Sequence, residues 1–203
     1  MDFHANNLDG AYTTLSNLNA LASGEGTTME AKLKNVISNL QLHWKGNDAT
    51  VHINNLMDVC SGLDVIINSV MMVAHNVSIP IVNAQTIRNS NGGMGDVGTV
   101  IPYNQQAPLT FQKLESTTEY YVDPVGAPKD YFELCDVCTT FTGFCNKFSQ
   151  YREELMNNWI SGTNRDKAVS DFTEFESNVL SYTKKINEAK DNLGTATSNL
   201  KQI

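Results

Sequence analysis

From position 128 onward, apolar side chains recur at alternating steps of three and four: Tyr131, Leu134, Cys138, Phe141, Cys145, Phe148, Arg152, Leu155 and Trp159. That spacing holds one stripe on a single helical face, interrupted once by the charged Arg152. After "SGTNRD" the stripe resumes through Ala168, Phe172, Phe175, Val179, Tyr182, Ile186, Ala189, Leu193, Ala196 and Leu200. The pattern predicts two helices of about 30 residues, and so short a link makes them antiparallel neighbours. Pro128 suits a helix start, where its missing N–H costs nothing, and Asp166 falls in the first turn of the second helix, where the dipole favours a negative charge.

The first third of the chain repeats this plan. Leu8, Tyr12, Leu15, Leu18 and Ala22 form one stripe, and Met29, Leu33, Ile37, Leu40 and Trp44 continue it beyond "SGEGTT". The glycines at 24 and 26 predict a helix that is broken or kinked there. Another stripe runs through Leu56, Val59, Leu63, Ile66, Val70, Val73 and Val77 until Pro80, which is expected to end it. Residues 79–128 lose the period. Their Gly, Asn and Pro content reads as a long mobile loop, while "LTFQKL" and "TTEYYV" alternate like a small β-hairpin. Gly93, Gly95 and Gly98 spell GxGxxG, but no strand precedes them and no helix follows, so a nucleotide-binding turn is not predicted. The expected fold is all-α: two antiparallel helical hairpins, 1–78 and 129–203, forming a four-helix bundle around a central loop or small β-hairpin insertion, 79–128.

The two hairpins turn in a similar way. "HWKGNDA" and "NWISGTNRDKA" place Trp44 and Trp159 at the end of a first helix, 115 positions apart. Gly46 and Gly162 supply the left-handed backbone needed to leave it. Asn47 or Asp48, and Asn164 or Asp166, then cap or charge the next helix. Each tryptophan is expected to cover the last core layer at the bend, with its indole N–H directed to a carbonyl or water. The chain therefore reads as an internal duplication. Its core or interface seam is expected to comprise Leu56, Val59, Leu63, Ile66, Val70, Phe141, Phe148, Phe172, Phe175, Val179 and Ile186.

Composition narrows the function. Fourteen basic against 22 acidic residues give a formal charge of −8, and no basic cluster is present to follow a phosphate backbone, which argues against nucleic acid. The N-terminal stretch lacks the basic and apolar regions of a cleavable secretory signal, and no transmembrane segment is expected. Cys135 and Cys138 have the spacing of half a zinc site, yet the second ligand pair is missing, so Cys135, Cys138 and Cys145 read as buried core thiols. His43 and His52 flank the first turn, while His4 and His75 are expected near opposite bundle ends. No nucleophile, base and acid set converges, so no enzyme, metal or cofactor is predicted.

Taken together, the paired turns and leaderless hairpin resemble the Trp-X-Gly, early-secreted-antigen-like family of bacterial type VII secretion substrates. Trp44, Lys45 and Gly46 match its central motif in type, spacing and position across residues 1–78. The second hairpin is similar, with one extra residue between Trp159 and Gly162. Family members dimerise as four-helix bundles, which implies that this chain is a fused dimer. The resemblance implies a secreted substrate without a cleavable signal, cytoplasmic before export, or an adaptor whose partner is a helical protein or another copy of itself. The family's Tyr-x-x-x-Asp/Glu signal is absent, because none of the seven tyrosines has an acidic residue four positions later. The alternative expectation is a self-contained bundle that binds a ligand or surface through the 79–128 loop.

Overall fold

The computed structural model describes residues 4–5, 7–104 and 107–200. The side chains of His4, Ile160, Thr163 and Asn164 lie outside this description, and with them the expected place of the His4 ring and the cap assigned to Asn164. In chain order the elements are β1 (His4–Ala5), α1 (Leu8–Ala20), a π-helical segment (Leu21–Gly26), α2 (Thr27–His43), β2 (Trp44–Lys45), α3 (Asn47–Ser90), β3 (Tyr121–Val122), α4 (Gly126–Asn158), β4 (Trp159–Ser161) and α5 (Thr163–Asn199). The class is all-α. The strands are short pairs, β1 with β4 and β2 with β3, both antiparallel.

At "LASGEG" the helix is not broken; it widens into one π-type segment and continues as α2. An inserted residue is absorbed this way when packing on both sides holds the axis. Leu21, Ala22 and Gly26 are all buried there.

Two compact units divide the chain, and each draws on both halves of the sequence. Unit 1 comprises Met1–Gly26, Val65–Ala107 and Phe144–Ser177, and unit 2 comprises Thr27–Asp64, Pro108–Gly143 and Asn178–Ile203. In unit 1, Phe148 of α4 meets the rings of Phe172 and Phe175 of α5 edge-on at 5.4 and 5.2 Å, and stacks on Phe144 at 6.3 Å. Arg152 of α4 pairs with Glu176 of α5 at 3.3 Å. Arg152 Nε and Glu176 Oε1 are nevertheless buried without partners among the described residues. A half-satisfied pair of this kind adds little stability but disfavours any register in which α5 slides along α4. In unit 2, Leu33, Ile37 and Leu40 of α2, Leu56, Val59 and Leu63 of α3, Leu134 and Phe141 of α4, and Ile186 and Leu193 of α5 are all buried. Of the expected seam, Ile66, Val70, Phe148, Phe172 and Phe175 are buried in unit 1, while Val179 in unit 2 is only half-buried. The stripe on α4 is wider than the three-four spacing, since Val137 and Phe144 are buried too.

The middle of the chain departs from expectation. Pro80 does not end α3, which runs on to Ser90. A proline inside a helix costs about 3 kcal/mol, but Val77, Ile81 and Gln85 continue the buried face past it. Burial of that face outweighs the lost hydrogen bond. The segment "LTFQKL" does not pair as half of a β-hairpin either. Its main chain is instead held by α3 in unit 2: Leu109 N–H donates to Asp64 at 3.0 Å, and the Asn54 amide both donates to the Leu114 carbonyl at 2.9 Å and accepts its N–H at 2.8 Å. Among the described residues here, only Tyr121–Val122 forms a strand, and its partner is Trp44–Lys45. The described residues 91–104 and 107–120 thus include an extended strap with main-chain tethers to α3 rather than a free loop.

The helix α3 is long and apolar enough to cross a membrane by length and composition alone, and 56% of its most apolar stretch is buried inside the protein, as in the core helix of a folded domain.

Candidate functional site

Each tryptophan turn is closed by residues that precede the first helix of the other hairpin. In unit 2, α2 ends at His43 and the chain becomes extended, pairing Trp44 with Val122 and Lys45 with Tyr121. Asp123 N–H donates to the His43 carbonyl at 2.8 Å, satisfying an acceptor that the helix end would leave open. Gly46 follows with φ +135°, where a side chain would be strained, and its carbonyl accepts from Thr50 to open α3. Trp44, 3% exposed, stacks on His52 at 5.8 Å. In unit 1, Trp159 is 1% exposed, its indole N–H donates to the Ser161 carbonyl at 3.2 Å, and β4 pairs with His4–Ala5. Gly162 repeats the conformation at φ +142°, and its carbonyl accepts from Arg165. Both tryptophans are buried at their bends, and the short strands that pair there were not anticipated. Two residues carry no sequence signal for a partner more than 70 positions away.

Side chains around the unit 2 turn are fixed by charge. Asp123 accepts from the Val125 and Gly126 N–H groups at 2.7 and 2.8 Å, capping α4, and these bonds hold its carboxyl below the usual range. Asp130, 2% exposed, faces His43 Nδ1 at 2.7 Å, and burial raises its pKa despite that contact. The His43 ring is held by Asp130, and the His52 ring lies against Trp44. His75 donates to the Ile101 carbonyl at 2.7 Å. Among the described residues, no three His, Cys, Asp or Glu side chains are grouped to hold a metal ion.

The thiols differ from the expected uniform burial. Cys60 and Cys145 are buried, and burial pushes both thiols up to about 12. Cys135 and Cys138 are only half-buried, because they sit at the edge of the apolar face of α4. A thiol reagent at about pH 8 is expected to modify Cys135 and Cys138 first, reaching Cys60 and Cys145 only on unfolding. Equal rates at all four positions, read by mass spectrometry, would contradict that placement.

Unit 2 exposes several large apolar residues, among them Leu180 at 83% and Tyr120 at 72%, and one of them borders two grooves. Phe132 is 70% exposed, off the stripe of α4. It borders a groove of about 550 Å³ shared with Val36, Asn39, Asp136 and Val137, and a second of about 490 Å³ shared with Tyr131, Gly194 and Ser198. Leu42 and Val125, also in unit 2, are 67% and 65% exposed. The signal for Phe132 was legible: a phenylalanine on the charged side of "KDYFELCD" has no core position to fill. No family model matches the chain, and no curated protein or solved structure matches it either.

Proposed function

We propose that this chain is a non-enzymatic helical interaction protein of a bacterial type VII secretion system, a tandem Trp-X-Gly protein whose two hairpins form a four-helix bundle as a fused dimer. It acts as a secreted substrate or as the adaptor of a larger secreted protein. The observation that supports this most is the reciprocal closure of the two turns: the leading strand of each hairpin covers the tryptophan of the other. With the seams buried in cis, a partner has to use an outer face. Phe132 between its two grooves is the face this reading selects, and the ligand is an amphipathic helix whose apolar side chains fill them.

Co-expression with small helical proteins encoded beside it, followed by light scattering, tests the reading. A stable heteromer that Phe132→Asp weakens at least tenfold, with an unchanged melting temperature, is the expected result. Failure of every neighbour to bind would remove the adaptor role. A complex indifferent to Phe132→Asp would move the interface elsewhere.

A second reading places recognition on the 79–128 segment, and Met94, 95% exposed at a glycine-rich turn, favours it. Met94→Ser would then abolish binding while Phe132→Asp left it intact.

A further inference from the structure

In unit 1 the strap is gripped through its main chain. Gln85 accepts the Gly98 N–H at 3.0 Å. The Tyr12 hydroxyl donates to the Thr99 carbonyl at 2.8 Å and accepts the Thr99 N–H at 3.0 Å. Ser78 accepts the Ile101 N–H at 2.9 Å, and His75 donates to the Ile101 carbonyl at 2.7 Å. Side chains on α1 and α3 thereby do what a neighbouring strand would do for an extended peptide.

The gripping groups are themselves committed to this task. With the strap in place Ser78 is 0% exposed and Gln85 2% exposed, so the strap both covers these acceptors and satisfies them. Ser78 donates to the His75 carbonyl and Gln85 to Asp9, which fixes the direction of both acceptors.

Selectivity for side chains is added at three places. A Cβ at Gly98 would fall 2.3 Å from the Tyr12 ring, so only glycine fits there. Ile101 is 6% exposed, seated against α3. Tyr103 stacks on His75 at 6.2 Å. Val100 and Pro102 between them are exposed and free to vary.

We infer that α1 and α3 form a peptide-binding groove for an extended segment of the pattern Gly-x-x-Ile-x-Tyr, occupied in cis by residues 98–103 and able to take the same segment from a second copy of the chain. Ile101 belongs to the buried core, so exchange requires it to leave, and the main-chain bonds are what the segment of a second copy would restore.

The test uses the full chain with residues 98–103 replaced by a Gly-Ser run of equal length. A fluorescent peptide with the sequence of residues 95–104 is titrated into it and into the unchanged protein. Saturable binding to the replaced chain is expected, at least about tenfold weaker to the unchanged protein, where the tethered segment competes at high effective concentration. A peptide carrying Gly98→Val should not bind. No saturable binding, or equal binding of the Gly98→Val peptide, would overturn the inference. Should the replaced chain lose its helicity, amide exchange in the unchanged protein decides. Exchange of Gly98, Thr99 and Ile101 by local opening, well ahead of the α3 core, supports an exchangeable segment; exchange only with global unfolding refutes it.

Discussion

Trp159→Ala is expected to destabilise the protein by about 3–5 kcal/mol, read as the shift in its urea unfolding transition. The ring is 1% exposed and lies where α4 gives way to β4, so its removal opens a cavity at the turn. Its N–H also satisfies the Ser161 carbonyl, an acceptor left open by the alanine. Trp159→Phe keeps most of the volume but loses that bond, so it should cost about 1–3 kcal/mol. The order of the two variants is the informative part. A loss below about 1 kcal/mol for alanine would mean that the turn is peripheral to folding, and the motif would then have no structural role.

Phe148→Ala is expected to cost a similar amount, about 3–5 kcal/mol, for a different reason. Phe148 is the shared member of a four-ring cluster, touching Phe144, Phe172 and Phe175. Rings from α4 and α5 surround it, and a close-packed site held from both helices collapses poorly around a void. Leu180→Ala serves as the control. Leu180 is 83% exposed, and its truncation should stay within about 0.5 kcal/mol of the unchanged protein. Guanidinium denaturation with an unchanged m value would show that both transitions report stability and not a new unfolded state. A small effect of Phe148→Ala would mean that the α4 and α5 stripes are not tightly packed on each other.

Legibility in the sequence followed the range of the interaction. Helices, turn glycines and the buried stripe could be read because period, dihedral preference and first-turn charge act within a few residues. Gly46 and Gly162 illustrate this: the residue type implied the left-handed backbone that both adopt. Phe141, Phe172 and Ile186 could be placed in the core from spacing alone.

Pro80 marks where local reasoning stopped. Its cost was known, but whether α3 survived it depended on how much apolar surface lay beyond, and that is set by neighbours distant in the chain. The strap is a clearer case. Alternation in "LTFQKL" signals extended backbone but says nothing of what satisfies its N–H and C=O groups, and here the Asn54 amide and Asp64 carboxylate of a helix take that part. The same holds for the two-residue strands over Trp44 and Trp159, whose pairing joins positions far apart in sequence. The sequence by itself determined that the chain is helical, where it turns, and which face of each helix is apolar. The tertiary structure alone decided which partners close the turns and where α3 ends, because those outcomes depend on competition among long-range contacts that no local pattern encodes.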